Sequence, residues 1–117
     1  MTVRRIVANI ATDSVSDVRK FYSDLFGLDV VMDLEWIVTL ASRETTIPQI
    51  SILSEGGSGA PVPDLSIEVD NVEEVYRCAK EMGCKIVHDL TDEPWDVRRF
   101  FIADPTGKLL NVLSHAR

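Results

Sequence analysis

The sequence predicts an α+β fold made of two tandem βαβββ modules. Three observations carry this. One plan of apolar stretches is written twice, at an offset of 56 to 57 residues, pairing Asp13 with Asp70, Gly27 with Gly83 and Asp33 with Asp89. Within each copy the apolar period changes from that of a strand to that of a helix and back. A Gly- and Pro-rich stretch, "EGGSGAPVP", separates the copies.

The first copy opens with "RRIVANIAT", short and mostly apolar, which reads as a strand. "SVSDVRKFYSDLFG" follows as a helix: Ser14 stands at the N-cap with Asp17 three residues on. Val15, Val18, Tyr22 and Leu25 mark its apolar face with Phe21 beside them, and Gly27 stops it. "LDVVMD", "EWIVTLA" and "QISILS" read as three more strands, the last reached through the polar connection "SRETTIP".

The second copy repeats the order. "DLSIEVD" is a strand. Asn71 caps a helix with Glu74 in the matching box position, and Val72, Val75, Tyr76, Ala79 and Met82 form its apolar face up to Gly83. "CKIVHD", "VRRFFIA" and "KLLNVLSH" are strands, the last two joined by the tight turn "DPTG". A single domain spanning 1–117 is expected, with modules at about 3–54 and 63–115 and a linker at 55–62. Pro61 and Pro63 stiffen that linker.

Composition narrows the function classes. The chain has 117 residues and a formal net charge of −7, which gives it no general attraction to nucleic acid or to an anionic membrane surface. Any steering by charge favours cations. Cys78 and Cys84, six residues apart, fit neither a zinc knuckle nor a redox pair and read as reduced thiols. "MTVRRIVANIA" lacks the apolar length of a signal peptide, and no stretch approaches a membrane span, so a cytoplasmic location is expected. No nucleophile elbow or phosphate-binding glycine loop is present.

The order and local words resemble the vicinal oxygen chelate superfamily, the glyoxalase, bleomycin-resistance and dioxygenase group. The matching words are "ATDSVSDVRKFYSDLFGLDVV" and "EPWDVRRFFIADPTGKLLNVL". They hold Asp13, Phe21-Tyr22, Phe26-Gly27, Trp95, Arg98-Arg99 and Asp104-Pro105-Thr106-Gly107. The resemblance covers essentially the whole chain and implies one VOC-type domain whose curved mixed sheet surrounds a trough. It implies no single activity, since many functions share this fold.

In metal-dependent relatives, the resemblance puts ligands on the first strand of each module and on the last strand. Here those positions read Ile6, Asp64 and Asn111. Isoleucine has no donor atom and a neutral amide is a poor ligand for divalent first-row metals. No metal or other cofactor is therefore expected. The alternative is a rearranged site that uses Asp64, Glu68 and His115.

Strand alternation supplies a candidate lining for the trough. Asp64, Ser66 and Glu68 share a face of their strand, and Asn111, Leu113 and His115 share a face with Leu109 on the last. Arg99 and Phe101 lie on one side of their strand, and Arg98, Phe100 and Ile102 on the other; which arginine meets Asp64 or Glu68 stays open. Trp36, read as mid-strand, and Trp95, in a Pro-containing turn, stand beside acidic residues: Glu35 for one, Glu93 and Asp96 for the other. Both tryptophans could stack on a ligand or serve as packing or dimer contacts.

Two function classes follow. The first is a metal-independent small-molecule-binding homodimer of the bleomycin-resistance type, sequestering a cationic or aromatic compound. The second is a metal-dependent lyase, isomerase or dioxygenase with a rearranged site; Ile6 and Asn111 count against it. A scaffold with no small-molecule role would show a collapsed trough.

Overall fold

The computed structural model describes residues 5, 7–45 and 49–115. The chain divides into two compact units, Met1–Ser54 and Glu55–Arg117.

In the first unit, helix α1 (Val15–Phe26) is followed by strands β1 (Asp29–Asp33) and β2 (Val38–Ala41), an antiparallel pair. The helix buries Val18, Tyr22 and Leu25 from the expected apolar face, and Tyr22 stacks on Phe26 with ring centroids 6.1 Å apart. Ser14 is the N-cap, but its side chain makes no capping bond; the hydroxyl turns to Asp13 instead. Gly27 ends the helix in the left-handed region at φ 66°. A bulge at Val31 breaks the β1–β2 register.

Three expectations for this unit are corrected. Trp36 is not mid-strand. Asp33 accepts the amide N–H of Glu35, Trp36 donates its amide to Leu34, and Leu34 donates its amide to Ile37, which makes a hairpin turn of this stretch. "RRIVANIAT" shows no strand at residues 5 and 7–12, and Arg4 and Ile6 lie outside the described residues. "QISILS" also forms no strand: Ile50 and Ile52 are 77% and 96% exposed, so no apolar burial supports a ladder there.

The second unit holds a complete βαβββ module: β3 (Leu65–Glu68), α2 (Val72–Glu81), β4 (Lys85–Glu93), β5 (Val97–Ala103) and β6 (Leu109–His115). The sheet order is β3-β6-β5-β4, with β3 parallel to β6 and the other pairs antiparallel, so the sheet is mixed. Asn71 caps α2 as expected, its side chain accepting the Glu74 amide at 3.1 Å. One sheet face packs on α2 through Phe100, Ile102, Leu110 and Val112, all fully buried, with the Tyr76 ring set edge-on to Phe100 at 5.1 Å. β4 runs four residues past the expected "CKIVHD", because Asp92 and Glu93 pair with Arg98 and Val97 across the turn. Among the described residues no helix is long and apolar enough to cross a membrane.

Residues 55–60 of the Gly-rich stretch are a closed loop of the second unit rather than an open tether. Gly56 donates its amide to Ala60, Ala60 donates to Gly57, and the Glu55 carboxylate accepts the Gly59 amide. Gly56 cannot carry a side chain here, because a Cβ would lie 2.0 Å from the Pro61 carbonyl oxygen.

Candidate functional site

Register places the expected lining of the second unit on one sheet face, opposite α2. Ser66 pairs with Asn111 and Glu68 with Leu113, while Phe101 pairs with Asn111, Arg99 with Leu113 and Val97 with His115. Residues in register share a side of the pleat. Ser66, Glu68, Asn111, Leu113, His115, Arg99 and Phe101 therefore share a face, and Asp64 precedes the first of them at the start of β3. Trp36 lies in the other unit, 76% exposed.

At the centre of the face is Arg99, 4% exposed. Its Nε donates to Glu93 Oε2 at 2.8 Å and its second terminal nitrogen reaches the same oxygen at 2.6 Å. The terminal nitrogens also donate to the carbonyls of Gly56 and Gly57, at 2.6 and 3.1 Å. The guanidinium lies 4.8 Å from the Phe101 ring centroid and 5.0 Å from that of Trp95. Arg99 thus meets Glu93, not Asp64 or Glu68. Arg98 points to the other side and bridges Asp92 on β4 and Glu73 in the first turn of α2.

Four contributors had no distinct sequence signal. Glu93 stood out only as an acidic neighbour of Trp95, and Gly56 and Gly57 only as linker glycines. His88 sits in register with Phe101, ring centroids 5.3 Å apart, with its Nε2 buried, unbonded and 3.8 Å from Glu93 Oε2. The β4–β5 register brings Glu93 and His88 to this face, and the closed 55–60 loop brings Gly56 and Gly57 to Arg99.

Toward β3 the face is polar. Asn111 donates its amide to Ser66 Oγ at 3.1 Å, while its Oδ1 is buried without a hydrogen bond. His115 Nδ1 and Glu68 Oε2 are 2.8 Å apart, and both side chains are more than half exposed. Asp64 binds the backbone of β6 twice: its amide donates to Leu109 O and its Oδ2 accepts the Leu109 amide, both at 2.8 Å.

This arrangement does not fit a metal centre. The Asp64 carboxylate is engaged by a backbone amide, Asn111 is a neutral amide turned to Ser66, and Ile6, outside the described residues, has no donor atom. Among the described residues no three His, Cys, Asp or Glu side chains gather where they could hold an ion.

A family model described as the Glyoxalase/Bleomycin resistance protein/Dioxygenase superfamily matches residues 4–112. The chain belongs to this superfamily. Its tandem βαβββ plan, expected from the repeat, is the superfamily's plan. Within the superfamily, the bleomycin resistance protein of Geobacillus stearothermophilus is 27% identical over 124 residues, covering 88% of this chain and 92% of that protein. Among solved structures, the antibiotic binding protein TnmS3 from Streptomyces sp. CB03234 matches with a TM-score of 0.67 at 15% identity, over 99% of this chain and 97% of that one. Lactoylglutathione lyase from Agrobacterium tumefaciens matches with a TM-score of 0.64 at 17% identity, over 97% and 92%. At such identities the two structural likenesses speak for the fold alone, and they include both an enzyme and a binding protein.

Proposed function

We propose that this superfamily member binds a small cationic or aromatic molecule without a metal ion, as a sequestering protein of the bleomycin-resistance type. The observation that carries the reading is Trp95. Its indole is backed by the buried Arg99 guanidinium, which lies on the same sheet face as Ser66, Asn111, Glu68 and His115, yet 46% of the residue remains exposed. A fixed aromatic surface that still faces outward is a common anchor for a flat ligand. The net charge of −7 favours a cationic group elsewhere on that ligand. In this reading Asp64 and Arg99 support the site, Leu113 belongs to its floor, and Phe101, fully buried against the Arg99 guanidinium, backs it from beneath. The relatives' name makes bleomycin the first compound to try.

The reading includes a cytoplasmic homodimer, supported by the exposed apolar Val31, Leu34 and Trp36 around the β1–β2 turn. Sedimentation equilibrium tests the dimer; a monomer at all concentrations would remove it.

The deciding experiment is calorimetric titration of wild type and Trp95→Ala with metal-free bleomycin, alongside elemental analysis of protein purified without chelator. The expected result is saturable binding lost in the variant, a much smaller change in stability than in binding, and sub-stoichiometric metal. A second reading, a metal-dependent lyase, isomerase or dioxygenase, draws on the contact between His115 and Glu68 on the face that Asp64 begins. One tightly held ion per chain, lost in Asp64→Ala, would favour it.

A further inference from the structure

We infer that Glu93, Arg99 and Gly57 are positioning residues that preset the Trp95 ring, so that ligand affinity depends on all three although none has to touch the ligand. This rests on the reading of Trp95 as part of the binding face.

Trp95 lies in the β4–β5 turn, where Asp96 adopts a φ of 63°, and turns of this kind leave a large side chain free to swing unless something holds it. Two things hold it here. Arg99 stands against the ring, and Arg99 is immobilised by Glu93 and by two loop carbonyls. The loop supplies the second restraint. A Cβ on Gly57 would lie 2.8 Å from Trp95 Cη2 and 3.3 Å from an Arg99 terminal nitrogen, and Gly57 has a φ of +89°. The indole edge therefore rests against a backbone that only glycine leaves bare.

The chain of contacts is continuous. The Glu93 carboxylate orients the guanidinium, the guanidinium pins both the Gly-rich loop and the indole, and the loop closes over the indole edge. All three nitrogens of Arg99 bind inside the protein and the residue is 4% exposed, which makes it a poor direct ligand contact and a good brace. A braced aromatic side chain loses little rotamer freedom when a ligand stacks on it, so the brace appears in the affinity.

The test uses the full chain and follows the Trp95 indole N–H by nitrogen relaxation, with the signal assigned by Trp95→Phe and the Trp36 indole as internal reference. Glu93→Gln and Arg99→Lys weaken the brace, and Gly57→Ala crowds the ring, and to a lesser degree the Arg99 nitrogen beside it, while keeping both partners of the ion pair. Should the ion-pair variants fail to fold, Gly57→Ala decides alone. Expected are a Trp95 indole as rigid as the backbone in wild type, a mobile one in the ion-pair variants and a shifted one in Gly57→Ala. Bleomycin affinity should fall about tenfold in each, with the Trp36 signal unmoved. An indole equally rigid and unshifted in all variants overturns the inference, and so does a loss of affinity with Trp95 undisturbed. Mobility changes as expected in a protein that binds no bleomycin would support the brace and overturn the ligand proposed above.

Discussion

The guanidinium of Arg99 lies 5.0 Å from the Trp95 ring centroid while its Nε and one terminal nitrogen share a single oxygen of Glu93. One buried ion pair thereby ties the β4–β5 turn to the Gly-rich loop.

Breaking this pair from one side should be severe. Both side chains are 4% exposed, and Glu93→Ala would leave a buried guanidinium without its carboxylate. The expected loss is about 3–5 kcal/mol in urea unfolding. Replacing both partners with apolar residues of similar size should cost less than the two single changes added together. Additive losses would show that the pair does not act as a unit.

Gly56→Ala should destabilise the second unit by about 1–3 kcal/mol, because the new methyl would meet the Pro61 carbonyl and the loop must shift. Thermal unfolding monitored by circular dichroism measures it. An unchanged melting temperature would mean that the 56–60 loop yields freely, contrary to the closed hydrogen bonding described above.

The two helix caps look equivalent in sequence and are not equivalent in structure. Asn71→Ala should cost about 1 kcal/mol, since it removes the bond to the Glu74 amide, whereas Ser14→Ala should be near neutral. Equal losses in chemical denaturation would restore the equivalence that the sequence suggested. The difference was not legible beforehand, because both residues are good caps by type. Only the backbone geometry decides whether the side-chain oxygen points at the helix or at Asp13.

Acid should weaken the link between α2 and β4. The Arg98 guanidinium holds the Asp92 carboxyl below its ordinary range, and Glu73 is lowered first by its own backbone amide and then by Arg98. Arg98 itself is raised by both carboxylates and stays charged. A carboxyl whose pKa is lower in the folded state contributes stability above its unfolded value, and this is lost as pH falls through the folded value. Arg98→Met should therefore lower stability at neutral pH and matter little in strong acid. In carbon-detected titration, the variant should return Asp92 upward toward the ordinary carboxylate range. An Asp92 titration identical in the two proteins would show that Arg98 is not the cause.

Tyr76→Phe should raise the pKa of Asp89, which is lowered chiefly by the phenol hydrogen bond and then by the Leu90 amide. Because the folded pKa is the depressed one, the variant should lose stability above the ordinary aspartate range and differ little below the folded value. An unmoved Asp89 titration would contradict the hydrogen bond.

The sequence by itself determined the tandem plan, both helices with their glycine stops, and which residues of one strand share a side: Ser66 with Glu68, Asn111 with Leu113, and Arg99 with Phe101. These follow from the periods of helix and strand, which are local properties of the backbone and need no partner to be read. It also exposed the weakness of the metal positions, because donor chemistry belongs to the side chain itself. Tertiary structure alone decided that Arg99 rather than Arg98 faces away from α2, that Glu93 neutralises it and that His88 lies beside them. It alone turned the Gly-rich stretch into a loop that braces Trp95. Those contacts join residues as far apart as Gly56 and Arg99, and depend on strand register and on close approach of backbone to side chain. Register is set by the summed packing of whole strands. No single residue type carries it, so no motif could announce it.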